Sequence, residues 1–273
     1  KYKPEIGLLL SIDKDHKELD ELFTIFDTFK NNCQQSFIVN QSHALAKQFS
    51  KNKDHDFGAY TRFEGSHFQQ QGFQITFEVQ SLTCIIPTIG LHNMENALAC
   101  MAVADLLGVS ISQCIEALAN YEGIYRRHQL LGIKKGITVI DDYAHNPAKI
   151  AASIKACQPV APKLIAWFQP HGYGPTRFIR KELVAEIAST LRPQDEIWMS
   201  EIYYAGGTAV KDISANDLIN DLKALGIHAF FVEDRSQLFE HLLPTLQPDT
   251  VLLLMGARDP SLEKFSKSVY EMI

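Results

Sequence analysis

The sequence lacks the short signatures by which several ligand classes announce themselves. No GxxxxGK[ST] phosphate loop and no GxGxxG dinucleotide turn occur in the 273 residues, so neither self-contained nucleotide cradle lies within this stretch. The five cysteines (Cys33, Cys84, Cys100, Cys114, Cys157) are scattered and form no CxxC pair. That argues against zinc and a disulfide framework, and fits reduced thiols in a cytoplasm. No apolar run nears the ~18 residues of a membrane span and no signal-peptide pattern is present, so no membrane partner is expected. Positive charge is not in excess either. A formal net charge of −6 argues against a nucleic-acid partner held by general electrostatics, while leaving room for a local phosphate site.

What is present is enough apolar material for real cores: 46% hydrophobic against 21% charged residues, which excludes global disorder. Ile6–Ile12 reads as a buried strand, followed by helical spacing of Leu19, Leu22, Phe23, Phe26 and Phe29 and by a strand over Ser36–Asn40. Residues 55–85 alternate as antiparallel strands do, with Phe73, Ile75, Phe77 and Val79 on one face. Asn93 is placed to cap a helix that runs to Gly108, and Ser110–Tyr121 reads as a second, short helix.

Near Tyr121–Gln129 the rhythm changes to strand, helix, strand, helix, through GITVIDDY, KLIAWFQP, EIWMSEIY, HAFFV and TVLLLMG. Five short β-rich runs separated by helices predict an α/β fold with a parallel, doubly wound sheet. Ligands bind beyond the carboxyl ends of such strands. The polar clusters DDYAHNP, QPHGYGPTR, EIYYAGG and GARDP all fall there.

Each cluster has a plain reading and a functional one. Asp13, Asp15 and His16 are either a loop with a helix cap or groups that hold Mg²⁺ and its water shell. Asn93 and Asn96, at i and i+3, are either a cap and its neighbour or a pair of amides able to read an adenine edge. Arg126 and Arg127 are either a solvated linker pair or a phosphate clamp. Asp141 and Asp142, followed by Tyr143 and His145, are less easily read as loop acids. The next strand also ends in a histidine loop, at His171, and two such loops on one sheet edge point to a shared cleft.

Taken together, SIDKDH, GLHNMENALA, YRRH, DDYAHNP and FQPHGYGPTR occur in an order and approximate spacing that resembles the Mur ligase family, and its alanine-adding branch most closely. The resemblance covers essentially the whole chain. It implies ATP-dependent joining of an amino acid to a UDP-N-acetylmuramate-type carboxylate in peptidoglycan precursor synthesis. It also implies that residues 1–124 are the later portion of a central ATPase domain and 125–273 a C-terminal Rossmann-like domain. The phosphate loop and a metal-binding glutamate would then precede Lys1. By the same resemblance His16 serves Mg²⁺; Asn93, Asn96, Arg127, Asp142 and Tyr143 serve the nucleotide; Arg127, Asp142 and His145 are catalytic; and His145 and His171 face the amino acid. The sequence departs from the alanine-adding pattern at Gly172 and Pro175, where arginines are usual, with Arg177 and Arg180 nearby. Ser11 likewise stands where asparagine is usual. A ligase that recycles muramate tripeptide, a folylpolyglutamate-like ligase and a non-catalytic binding homologue are the alternative readings.

Overall fold

The structure is a computed structural model and describes residues 2–12, 18–204, 206, 208 and 210–273. His16, with Asp13 and Asp15, lies outside the described residues. The chain divides into two compact units, Lys1–Glu122 and Gly123–Ile273.

In the first unit, β1 (Ile6–Leu9) pairs in parallel with β2 (Ser36–Val39) across α1 (Leu19–Asn32). The half-buried Phe23, Phe26 and Phe29 of α1 pack on Phe37 and Phe49, as their helical spacing predicts. A three-stranded antiparallel sheet follows: β3 (Ser66–Gln71), β4 (Gln74–Val79) and β5 (Leu82–Ile86). Ile75, Phe77 and Val79 are buried on one face of β4, whereas Phe73, expected on the same strand, sits in the preceding turn. Helices α2 (Leu91–Leu106) and α3 (Ile111–Ala119) come next, the latter opened by a Ser110–Gln113 capping box.

Asn93 does not cap α2. The helix begins earlier, behind Gly90, and Asn93 lies within its first turn. Its amide donates backwards to Thr88 Oγ1 at 2.9 Å and to the Ile89 carbonyl at 2.8 Å. The side chain thus ties the helix start to the incoming loop rather than satisfying the helix's own amides.

In the second unit the strands are β6 (Gln129–Lys134), β7 (Ile137–Asp142), β8 (Lys163–Phe168), β9 (Glu196–Met199), β10 (Ala229–Phe231) and β11 (Thr250–Met255). They form one sheet in the order β10-β9-β8-β11-β7-β6, parallel except for β6, which is antiparallel to β7. The five parallel strands are those expected from the sequence. The added edge strand β6 was not: Leu130 and Ile133 are exposed and a register shift at Leu130/Gly132 breaks its alternation, so its pattern is weak. Helices α4 (Pro147–Cys157), α5 (Tyr173–Thr190) and α6 (Ala215–Ala224) alternate with the strands, followed by α7 (Leu238–Leu242) and α8 (Leu262–Met272). Trp167, Trp198, Leu252 and Leu254 on one sheet face pack against Leu238, Leu242, Leu262 and Val269 of the last two helices. At the sheet's carboxyl edge Met255 is in register with both Asp142 and Phe168, so the central strands end level. Among the described residues no helix is long and apolar enough to cross a membrane.

Candidate active site

The twin aspartates end β7 and, by strand alternation, face opposite sides of the sheet. Asp141 turns toward α8. It accepts from Arg126 Nε at 2.8 Å and Nη2 at 3.3 Å, and from Ser266 Oγ at 3.1 Å. Arg126 also reaches the Gly256 carbonyl at 2.9 Å. Burial pushes the Asp141 carboxyl up, against the opposing pull of Arg126 and Ser266. This is a buried, multiply bonded ion pair with little room for a ligand.

Asp142 takes the other side. Its Oδ2 accepts the His128 main-chain N–H at 2.7 Å and its Oδ1 accepts the Ala144 N–H at 2.7 Å. One carboxylate thereby joins the turn that carries Arg127 to the loop that carries Tyr143 and His145. The Tyr143 N–H, donating to the Arg126 carbonyl at 2.9 Å, is a second tie between the same segments.

Arg127 is exposed, and its guanidinium lies 5.2 Å from the Tyr143 ring centroid, with that of Arg126 at 5.3 Å. Among the described residues Arg127 makes no ion pair. Its charge is open to solvent, whereas that of Arg126 is tied to Asp141.

His145 is braced by its own loop, Nδ1 lying 2.9 Å from the Tyr143 carbonyl. Asn146, which the sequence reading passed over, caps α4 through the Lys149 N–H at 3.0 Å, with Pro147 in the first helical position. The Asn-Pro dipeptide was the available signal. Across the top of β11 the rings of His145 and His171 come to 5.6 Å between centroids. The two histidine loops do share one edge of the sheet. Gly256, at the end of β11 between these loops, has no room for a side chain: a Cβ there would meet Leu262 Cδ1 at 2.8 Å and the Gln169 carbonyl oxygen at 3.4 Å.

The loop after β8 is built differently from a loop that presents arginines. Gly172 is the N-cap of α5 at φ +73°, and its N–H donates to the Tyr203 carbonyl at 2.9 Å. Pro175 fits the first turn of α5, where no amide donor is needed. Arg177 pairs with Asp212, and Arg180 is held by Asp221 at 2.7 and 3.0 Å. Both arginines are therefore committed to acids on or before α6.

Beside these loops lies a cleft of about 590 Å³ lined by Gln169, Glu201, Tyr203, Glu233, Arg235 and Asp259, among others. Arg235 donates to Gln169 Oε1 at 2.6 Å, to Ser261 Oγ at 2.5 Å, and to Asp259. Burial pushes Asp259 up, but hydrogen bonds from Ser261 and the Arg235 charge hold it below the usual carboxylate range overall. The sequence reading placed GARDP on this edge without singling out Asp259. It missed Arg235, whose only signal is its position just past a strand end.

In the first unit, Asn96 is exposed and donates to Asn93 Oδ1 at 3.3 Å, so the two amides form one polar strip along the start of α2. Among the described residues no group of three His, Cys, Asp or Glu side chains could hold a metal ion.

Residues 126–258 match the family described as Mur ligase, glutamate ligase domain. Over 94% of its length the chain is 30% identical to the UDP-N-acetylmuramate–L-alanine ligase of Geobacter sulfurreducens, of which it covers 59%. It superposes on the UDP-N-acetylmuramate-alanine ligase of Thermotoga maritima with a TM-score of 0.75 at 23% identity, covering 99% of this chain and 60% of that one. A second fold neighbour is the MurF ligase of T. maritima in complex with ADP, with a TM-score of 0.71 at 14% identity, covering 99% of this chain and 63% of that one. The chain thus spans about three fifths of the length of the proteins it matches.

Proposed function

The chain is related to the Mur ligases, and from that premise we propose that it is part of an ATP-dependent ligase. The enzyme joins an amino acid to a UDP-N-acetylmuramate-type carboxylate in peptidoglycan precursor synthesis, a cytoplasmic task. The first unit is the later part of the ATPase domain and the second the C-terminal ligase domain. The observation that carries the reading is the meeting of the His145 and His171 loops at 5.6 Å, beside the exposed Arg127, within the residues that match the family.

In this reaction the γ-phosphoryl group of ATP passes to the carboxylate oxygen. The amine nitrogen then attacks the acyl carbon, the C–O bond to phosphate breaks, and the amine's proton goes to a base. Such chemistry asks the protein mainly for positioning and for charge opposite the transferring phosphoryl group. Arg127 supplies a guanidinium that can fork onto phosphate oxygens. Tyr143, with a cation on its face, offers a flat surface for the adenine. Asn93 and Asn96 offer amides to the nucleotide, and Asp142 serves the nucleotide side of the second unit. His145 and His171 face the amino acid, where an imidazole can take the proton of the attacking amine. Mg²⁺, when bound, would neutralise phosphate charge. Its expected ligand His16 lies outside the described residues.

The amino acid is left to experiment, because Gly172, Pro175 and the paired Arg177 and Arg180 do not present the guanidinium groups usual in the alanine-adding branch. The test is to incubate the complete protein with ATP, Mg²⁺, UDP-N-acetylmuramate and a panel of amino acids, and to weigh the products by mass spectrometry. The reading expects one amino acid to be joined with loss of water. Binding of substrates without any amide product would favour the non-catalytic homologue instead. The 273 residues alone, which hold no GxxxxGK[ST] loop, are expected to form no product.

A further inference from the structure

Asp142 is supported from behind by a line of side chains that the proposed reaction does not itself require. His128 Nδ1 lies 3.5 Å from the same Asp142 oxygen that accepts the His128 main-chain N–H. The far ring nitrogen, Nε2, lies 3.0 Å from Ser153 Oγ on α4. Asp142 is 4% and Ser153 1% exposed. An Asp–His–Ser line can activate a serine nucleophile, but Ser153 is buried in mid-helix, where no substrate carbonyl can reach it. The line must therefore act in the other direction, from Ser153 toward the carboxylate.

Ser153 anchors the ring at Nε2, which leaves Nδ1 facing, at 3.5 Å, a carboxylate whose oxygens each accept one main-chain N–H at 2.7 Å. We propose that His128 is the positioning residue of Asp142: anchored on Ser153, its imidazole fixes the carboxylate in the single orientation that serves the nucleotide. The proposal rests on the reading that Asp142 serves the nucleotide. Supporting contacts of this kind are what give an active-site group a defined direction. The charged and titratable groups that act on the ring, among the described residues, include Asp142 from β7 and Arg127 from the turn, with Cys157 of α4 facing Asp142. Burial lowers the basicity of His128. In the neutral ring the tautomer that accepts the Ser153 hydroxyl at Nε2 turns Nδ1–H toward Asp142, a longer-range contact at 3.5 Å.

The test uses the complete protein and three variants at this line, with Asp142→Asn measured beside them. His128→Phe keeps a flat ring but no donor. His128→Asn restores a short donor, and asparagine tolerates the φ of +46° found here. Ser153→Ala removes only the anchor and leaves a good helix former. Support from outside a site's direct ligands is worth about ten- to a hundred-fold. We therefore expect His128→Phe to lower kcat/KM for ATP by about ten-fold or more, His128→Asn to recover much of it, and Ser153→Ala to lie between, with circular dichroism unchanged. If Asp142→Asn is impaired while both His128 variants match the wild type, or fall equally, the positioning role is overturned. If Asp142→Asn itself matches the wild type, the nucleotide reading beneath the proposal fails instead.

Discussion

The Arg126 guanidinium grips both carboxylate oxygens of Asp141, at 2.8 and 3.3 Å, and both side chains are buried. Arg127, one residue on, is exposed over Tyr143. Two neighbouring residues of one type thus differ in place: Arg126 is bound into the buried structure, and Arg127 is left at the surface.

Their substitutions should separate accordingly. Arg126→Ala leaves a buried carboxylate without its partner and should cost about 3–5 kcal/mol of stability. Arg127→Ala removes a surface charge and should stay within about 0.5 kcal/mol. Urea denaturation of both variants decides it, and equal losses would contradict the division of labour.

Gly172 will not accept the arginine that the resemblance to the alanine-adding branch leads one to expect there. Its φ of +73° is left-handed, and a Cβ would press on Pro175 at 3.3 Å. Gly172→Ala and Gly172→Arg should each destabilise by about 1–2 kcal/mol. Thermal unfolding that shows either variant as stable as the wild type would refute the backbone argument.

The pH dependence of stability has a defined sign at His128. Burial lowers its basicity against the pull of Asp142, with Arg127 adding to the fall. The unfolded chain therefore takes up the proton first. The stability contributed by the neutral ring is fully present above the unfolded value of about 6.5, and is lost as pH falls from there through the depressed folded value. Denaturation at about pH 8 and about pH 5.5 should show the wild type losing more stability than His128→Phe. Parallel losses would contradict the assignment.

Much of this was legible in the sequence where a single physical signal dominates. β7, β8, β9 and β11 of the second unit are apolar runs buried on both faces, and no competing pattern obscures them. The two histidine loops were legible because strand ends at a parallel sheet's carboxyl edge must converge. Edge strand β6 was not, since half of it faces solvent and its register shifts. Nor was the role of Asn93 or Arg235. Each bonds to groups that local spacing does not reveal: Asn93 to a loop before its helix, Arg235 to residues 66 and 24 positions away. The contrast between Asp141 and Asp142 was half legible: alternation gave opposite faces, but only packing shows that α8 lies on one side and α4 on the other.

The second unit has its own core around Trp167, Leu252 and Leu254, and ~150 residues suffice for independent folding. Gly123–Ile273 expressed alone should melt cooperatively by circular dichroism. A broad, non-cooperative melt would show that its stability depends on the first unit.

The most direct test of the account is steady-state phosphate release by the complete protein carrying Asp142→Asn, which keeps size and removes charge. A charged contact made in a water-poor site is worth roughly 2–4 kcal/mol, or about 30- to 1000-fold. The account predicts that kcat and kcat/KM fall together by that order, as for a contact made in the transition state, with circular dichroism taken alongside because the asparagine amide would face one of the two main-chain N–H donors that Asp142 accepts. Near-normal kcat/KM in a folded Asp142→Asn protein would contradict it.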